Sequence, residues 1–359
     1  MPIQEHKPRH GCGRGAVVNP NGRFERFIRE AFDDGWTLEE DVAPLRTHVA
    51  PDASRTVITR NQSPDIPFDR SVNPYRGCEH GCAYCFARPT HAYLGLSPGL
   101  DFETRLFAKY EAAAQFAQEL AKPGYRCAPL ALGVNTDCYQ PIEKRLKITR
   151  DILTVAARFQ HPVNIITKSN LILRDLDILA PLAAQGLASV MVSITTLDRH
   201  LARDLEPRAP TPKRRLLAIE GLAKAGVPVG VIAAPVIPGL NDHEMDGILS
   251  AAADQGAIAA GYVLLRLPLE IAEMFKSWLE THRPDRAKRV LSLVRQCREG
   301  RTNDTRFGTR LRGAGPVADL IANRFTLARK RYGLERHLPP LNCDVFTVPE
   351  DANGQLRLL

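Results

Sequence analysis

From Ser71 onward, short apolar runs alternate with longer amphipathic stretches. Residues 130–134, 163–167, 189–194, 227–234 and 261–265 are apolar runs of strand length, and a shorter extended run ends near Tyr75. Between them, residues 103–122, 143–159, 173–185, 212–226 and 242–255 read as helices. In the first of these, Phe107, Tyr110, Ala114 and Leu120 fall near one face. Pro212 sits near a first turn and Gly226 just past a last one, where each residue type is favoured. Connections of about ten to twenty residues suit right-handed βαβ crossovers. Six strands alternating with helices predict a parallel, curved sheet covered outside by helices. The order of runs alone does not separate an open doubly wound sheet from a barrel.

After Arg266 the pattern is helical. Residues 270–281 form one segment; Ala287, Val290, Leu291, Val294 and Cys297 mark a second; Val317, Leu320, Ile321, Phe325 and Ala328 mark a third. Their polar faces carry Arg283, Arg286, Arg289, Arg295 and Arg298, then Arg306, Arg310, Arg312, Arg324, Arg329 and Arg331. Such a face either binds phosphates or is simply solvated. Upstream, Phe24, Phe27, Ile28 and Ala31 have helical spacing, which predicts a short helix near residues 21–34. The organisation is an N-terminal extension, partly disordered, over 1–64, a core over 65–266, and a mostly helical region over 267–359.

Composition changes this picture little. The chain has 359 residues, 44% hydrophobic and 25% charged, which is ordinary for a globular protein. No apolar run is long enough to span a bilayer, and residues 1–20 lack the apolar segment of a secretory signal. Eight cysteines, three of them clustered, suit a reducing compartment, so a cytoplasmic location is expected. A net charge of +8 is compatible with polyanionic partners such as nucleic acid.

The chemistry is concentrated in Cys78-Glu79-His80-Gly81-Cys82-Ala83-Tyr84-Cys85-Phe86. Three thiols this close can wrap one inorganic centre. Iron-sulfur clusters are held by thiolates, and three ligands on a four-iron cubane leave one iron open. Gly77 and Gly81 each precede a cysteine, where a tight loop needs backbone angles that glycine reaches cheaply. Structural zinc takes four ligands, and His80 or His91 could complete such a set, but zinc motifs usually come as paired CxxC units. A nucleophilic cysteine would need only one thiol.

Cys-x3-Cys-x2-Cys with an aromatic before the third cysteine resembles the signature of the radical S-adenosylmethionine (radical SAM) superfamily. Gly13-Arg14-Gly15-Ala16 and Asn19-Pro20 are similar to the leader of a bacterial subgroup related to spore photoproduct lyase and DNA repair photolyase-like proteins. The resemblance implies a partial (β/α)6 TIM-like barrel of the α/β class, with the cluster loop after the first strand and chemistry at strand C-terminal ends. It also implies a [4Fe-4S] cluster on Cys78, Cys82 and Cys85, with S-adenosylmethionine on the open iron. Cleavage by one electron, from a reductant such as flavodoxin or ferredoxin, then gives a 5′-deoxyadenosyl radical that abstracts hydrogen from a substrate.

Polar residues end the apolar runs: Thr136 and Asp137, Lys168, then Ser193, Thr195 and Thr196. By themselves they read equally as caps and turns. The resemblance assigns Thr136, Lys168 and Ser193 to S-adenosylmethionine, Ile237 to packing on adenine, Tyr84 to its vicinity, and Phe86 to screening the cluster from water. Cys12 is either a redox ligand or a bystander in the tail. Asp137, Tyr139, Gln140 and Glu143 are candidate substrate contacts, and Arg208 is aimed at an anion or tied up in a salt bridge. No catalytic residue is assigned; Cys138, Asp137, Tyr139 and Arg208 are the candidates. Photoproduct lyases carry a hydrogen-donating cysteine near the end of strand two, where this chain has Val134, with Cys138 four residues later. Cys138 is either a displaced donor or an inert core thiol. The substrate is left between a nucleic acid and a protein, peptide or metabolite. A carrier or sensor that never cleaves S-adenosylmethionine is the reading outside enzymology.

Overall fold

A computed structural model describes residues 13–25 and 45–350. Its strands are β1 (His48–Pro51), β2 (Ile58–Arg60), β3 (Arg70–Val72), β4 (Tyr75–Arg76), β5 (Arg105–Ala108), β6 (Leu130–Leu132), β7 (Val163–Thr167), β8 (Ala188–Ile194), β9 (Val229–Val236) and β10 (Ala259–Leu264). Seven of them form one sheet in the order β10-β9-β8-β7-β6-β3-β2. All its pairings are parallel except β2 against β3. Each parallel strand therefore lies beside the next one in sequence, as repeated βαβ units require. Val163–Thr167 coincides with its predicted run, and the other predicted strands end within two residues of the observed ones. β8 is buried along nearly its whole length, the condition of a parallel strand covered on both sides.

The open edges of this sheet are brought together by residues 304–311. On one side Leu264 N donates to Leu311 O at 2.9 Å. On the other, Gly308 N donates to Asp65 Oδ1 at 2.7 Å, and Arg310 bonds Asp65 and Ser63 in the β2–β3 turn. Arg298, only 1% exposed, fastens this strap by donating to the carbonyls of Leu264, Leu265, Thr309 and Arg310. The sheet is thus curved into a partial barrel whose seam is closed by C-terminal chain. Arg298, expected on a polar helical face, is instead an internal fastener.

Other expectations are corrected. The predicted helix over 103–122 is interrupted by β5, which pairs with β1 on one side and β4 on the other. Helix Ala112–Leu120 then buries Ala112, Phe116 and Leu120, leaving Tyr110 exposed. Leu106 and Phe107 mimic a helical face but are spent on strand pairing. The helix over 143–159 breaks at Lys147, whose φ is 58°, into Glu143–Leu146 and Ile148–Arg158. Buried Glu143 draws the break inward by accepting from Thr149 N at 3.1 Å. Helix Arg199–Leu205 was not predicted; Asp198 caps it by accepting from His200 N. Cys12 and most of the helix expected near 21–34 lie outside the described residues.

The C-terminal helices Ile271–His282, Pro284–Gln296 and Pro316–Arg331 follow the predicted pattern. Phe275 and Trp278 of the first share a buried apolar cluster with Ala16, Cys82, Tyr84 and Ile237, so this region packs onto the cysteine loop. Among the described residues no helix is long and apolar enough to cross a membrane.

Candidate active site

The cysteine loop leaves β4 at the C-terminal side of the sheet. Gly77 has φ +78°, and a Cβ there would lie 2.6 Å from Leu106 Cδ2; Gly81 has φ +66°, and its Cβ would lie 2.7 Å from Glu103 Oε2. Glycine is required at both for conformation and for space. Cys78 N donates to Phe102 O at 2.9 Å, Cys85 N to Cys82 O at 3.2 Å, and Ala83 N to Leu205 O at 2.9 Å.

A buried carboxylate supports the loop from below. Glu103 accepts Gly15 N at 3.0 Å, Ala16 N at 2.8 Å and Arg88 Nη2 at 2.5 Å. Arg88 is fully buried and also donates to the carbonyls of Cys82, Pro98 and Gly99. A Cβ on Gly15 would meet Gly81 O at 1.6 Å. The Gly13–Ala16 segment is therefore part of the loop's scaffold.

Cys78 and Cys82 are buried and Cys85 is partly so. Burial pushes all three thiols up, Cys82 to about 12, and the neighbouring thiolates push Cys78 further. As thiolates they would need compensating cations, which the iron of a cluster would supply. Among the described residues no three donors are grouped tightly enough for one metal ion. Thiol sulfur is the donor type that iron-sulfur clusters take, so the chemistry of Cys78, Cys82 and Cys85 suits such a group.

Beside the loop, strand ends form a densely bonded wall. Lys168 Nζ donates to Ser193 Oγ at 3.0 Å and lies 3.9 Å from Glu206 Oε1. Tyr84 OH bonds Glu206 and approaches Thr195 Oγ1 at 3.1 Å. Arg215 pairs with Glu206 and donates to Ser193 O at 3.1 Å. Burial alone would raise the Glu206 carboxyl, but Arg215 and Lys168, with hydrogen bonds from Arg215 and Tyr84, bring it down to about 2. Asn241 accepts from Ile237 N at 2.6 Å and donates to Thr195 O at 2.7 Å, which fixes fully buried Ile237 within the apolar cluster that also holds Tyr84.

Asp137 links the wall to the loop. It accepts Lys168 N at 2.7 Å, Thr167 Oγ1 at 2.7 Å and Tyr139 N at 2.9 Å, and stands 3.5 Å from His80 Nδ1. His80 is buried and its Nε2 has no hydrogen-bond partner. Burial lowers its pKa, so the ring is neutral near pH 7.

The structure brings Cys78, Cys82, Cys85, Tyr84, Lys168, Ser193 and Ile237 to one place. Thr136 is buried beneath the loop, with Oγ1 donating to Tyr75 O at 2.7 Å. Other expected substrate contacts are internal. Tyr139 OH donates to Asp175 at 3.1 Å, Gln140 brackets the loop through Glu79 N and Gly77 O, and Glu143 binds Tyr75, Arg174 and Thr149. Cys138 is fully buried in the main core. Arg208 pairs with Glu79 at 3.1 Å, the salt-bridge alternative. Phe86, expected to shield the cluster, is 47% exposed. Glu206, Arg215, Glu103 and Arg88 were missed, because a single charged residue carries no sequence sign that it will be buried opposite its partner.

Residues 72–252 match the radical SAM superfamily domain, and the chain belongs to that superfamily. It is a radical SAM enzyme, a class that works with a [4Fe-4S] cluster and S-adenosylmethionine. An uncharacterized protein of Mycobacterium tuberculosis (strain ATCC 25618 / H37Rv) is 37% identical over 76% of this chain and 77% of its own length. An uncharacterized protein of Methanocaldococcus jannaschii is 26% identical over 60% of this chain and 76% of its own. Among solved structures, spore photoproduct lyase complexed with dinucleoside spore photoproduct aligns at TM-score 0.56 and 15% identity, covering 79% of this chain and 78% of that one. A variant of the same lyase with bound AdoMet and that dinucleoside aligns at TM-score 0.53 and 16% identity, over 79% and 77%. At such identity the likeness is one of fold.

Proposed function

We propose that Cys78, Cys82 and Cys85 hold a [4Fe-4S] cluster and that Lys168, Ser193, Tyr84, Thr136 and Ile237 shape the adjoining S-adenosylmethionine pocket. Bound there, cluster and cofactor supply reductive cleavage to methionine and a 5′-deoxyadenosyl radical that abstracts hydrogen from substrate. The observation that carries this reading is the Lys168–Ser193 pair at adjacent strand ends beside the cysteine loop. An electron carrier would need the cysteines but no such wall. Lys168 and Ser193 are suited to a carboxylate, Tyr84 and Ile237 to the flat face of adenine, and Glu206 with Arg215 holds Lys168 and Tyr84 in place. Low exposure of this wall keeps water from a reactive intermediate.

Nucleic acid is the substrate class we favour, supported by the basic charge and the lyase-like fold. Cys138, deep in the core, is poorly placed to return hydrogen, so the outcome differs from photoproduct repair. Flavodoxin or ferredoxin is the expected electron source. A cytoplasmic setting agrees with seven free cysteines among the described residues. The test is anaerobic: reconstituted protein with dithionite and S-adenosylmethionine should release 5′-deoxyadenosine. A normal cluster spectrum with no product above a Cys78→Ala control would leave only the carrier.

A further inference from the structure

At the end of β10, beside the third cysteine of the loop, the surroundings are built from different materials. Arg266 directly follows the buried pair Leu264 and Leu265 at the end of β10, and its guanidinium lies 5.8 Å from the ring centroid of Phe86. Arg266 Nε is buried with no hydrogen-bond partner, and Asp65 acts on the guanidinium only as a nearby charge. Its charged neighbours are Arg310, Asp65 and Arg298; Arg298 is spent on four backbone carbonyls, and the Asp65 carboxylate is already engaged by Gly308 N and Arg310. Arg310 in turn lies 4.7 Å from the ring centroid of Phe307, which is 58% exposed. Within the row itself Asp65 is the carboxylate set against Arg266 and Arg310, so the row keeps positive charge, and Arg298 behind it adds to that excess. Two exposed aromatic rings flank it, and the row begins one residue from Cys85.

From this juxtaposition we propose that Phe86, Arg266, Arg310 and Phe307 form the substrate subsite, taking a phosphodiester on Arg266 with a nucleobase stacked on Phe86. The inference rests on the nucleic-acid reading above and assigns it a place. A phosphodiester carries the single negative charge that the row lacks, and a planar guanidinium meets phosphate oxygens through paired N–H groups. Bases stack on exposed aromatic rings without regard to their identity. The adjacency of Phe86 and Cys85 brings a stacked nucleotide next to the site of radical formation.

The test uses the full reconstituted chain with S-adenosylmethionine, without reductant, and fluorescein-labelled octathymidylate as probe, read by anisotropy over a salt series starting near 50 mM. Arg266→Gln should weaken binding about tenfold and reduce the slope of log affinity against log salt by about 0.7. Arg266→Lys should restore the slope but not the full affinity, and Phe86→Leu should weaken binding about fivefold with the slope unchanged. Iron content and melting temperature show that the variants are folded. If wild type binds and Arg266→Gln binds equally well with the same slope, the subsite is wrong while the nucleic-acid reading stands. If folded, loaded wild type does not bind the probe, that reading fails and the subsite with it.

Discussion

Two neighbourhoods of the cysteine loop are built by opposite rules. The wall of Lys168, Ser193, Tyr84, Glu206 and Arg215 is closed, each polar atom answered by another from the chain. The row of Phe86, Arg266, Arg310 and Phe307 is open, with exposed rings and a buried nitrogen left unanswered. A reagent common to a whole superfamily can be met by a rigid, prearranged surface. A substrate peculiar to one protein is met by groups that its arrival completes.

The sharpest break is removal of a ligand. Cys82→Ala should abolish the iron-sulfur absorption and all 5′-deoxyadenosine release, read by iron and sulfide analysis and chromatography. Next is Glu206→Gln, which strands Arg215 and Lys168 and should cost about 3 to 5 kcal/mol by denaturant unfolding. The acid limb gives a second readout. The Glu206 carboxyl is lowered from 4.5 to about 2, so its contribution of about 3 kcal/mol is present above pH 4.5 and lost as pH falls towards 2. The glutamine variant should lack that limb. Arg266→Gln, on the open side, should change stability by under about 0.5 kcal/mol. Equal losses at the two positions would erase the contrast.

Smaller effects refine it. Lys168→Met should weaken S-adenosylmethionine binding by about ten- to a hundredfold, measured by equilibrium dialysis, with iron content unchanged. Gly15→Ala would force its Cβ against Gly81 O, 1.6 Å away, and should lower iron loading. Gly261→Ala, whose Cβ meets nothing within 4 Å, should not. Cys138→Ala should cost about 1 kcal/mol and leave deoxyadenosine release within about twofold. Loss of product formation on substrate alone would instead make Cys138 a hydrogen donor.

Much of this was legible in the chain. Strand runs are apolar because both faces of a parallel sheet are covered, so they survive as local signals. The cysteine spacing is equally local. Burial of charge is not: Glu206 and Arg215 look like surface residues until the cysteine loop brings Tyr84, and the end of β7 brings Lys168, against Glu206. The same blindness placed Arg298 on a polar helical face and Glu143 among the candidate substrate contacts. Residues 105–108 failed for a related reason, since their strand partners lie about 30 and 57 residues away, at Tyr75–Arg76 and His48–Pro51.

Glu103 also bears on where this protein can be cut. Its amide partners at Gly15 and Ala16 precede it by 88 and 87 residues. A fragment trimmed to the recognisable domain, from residue 72, would retain Cys78, Cys82 and Cys85 yet lose the floor on which they rest. Its failure to take up iron would then report on the trimming and not on the ligands.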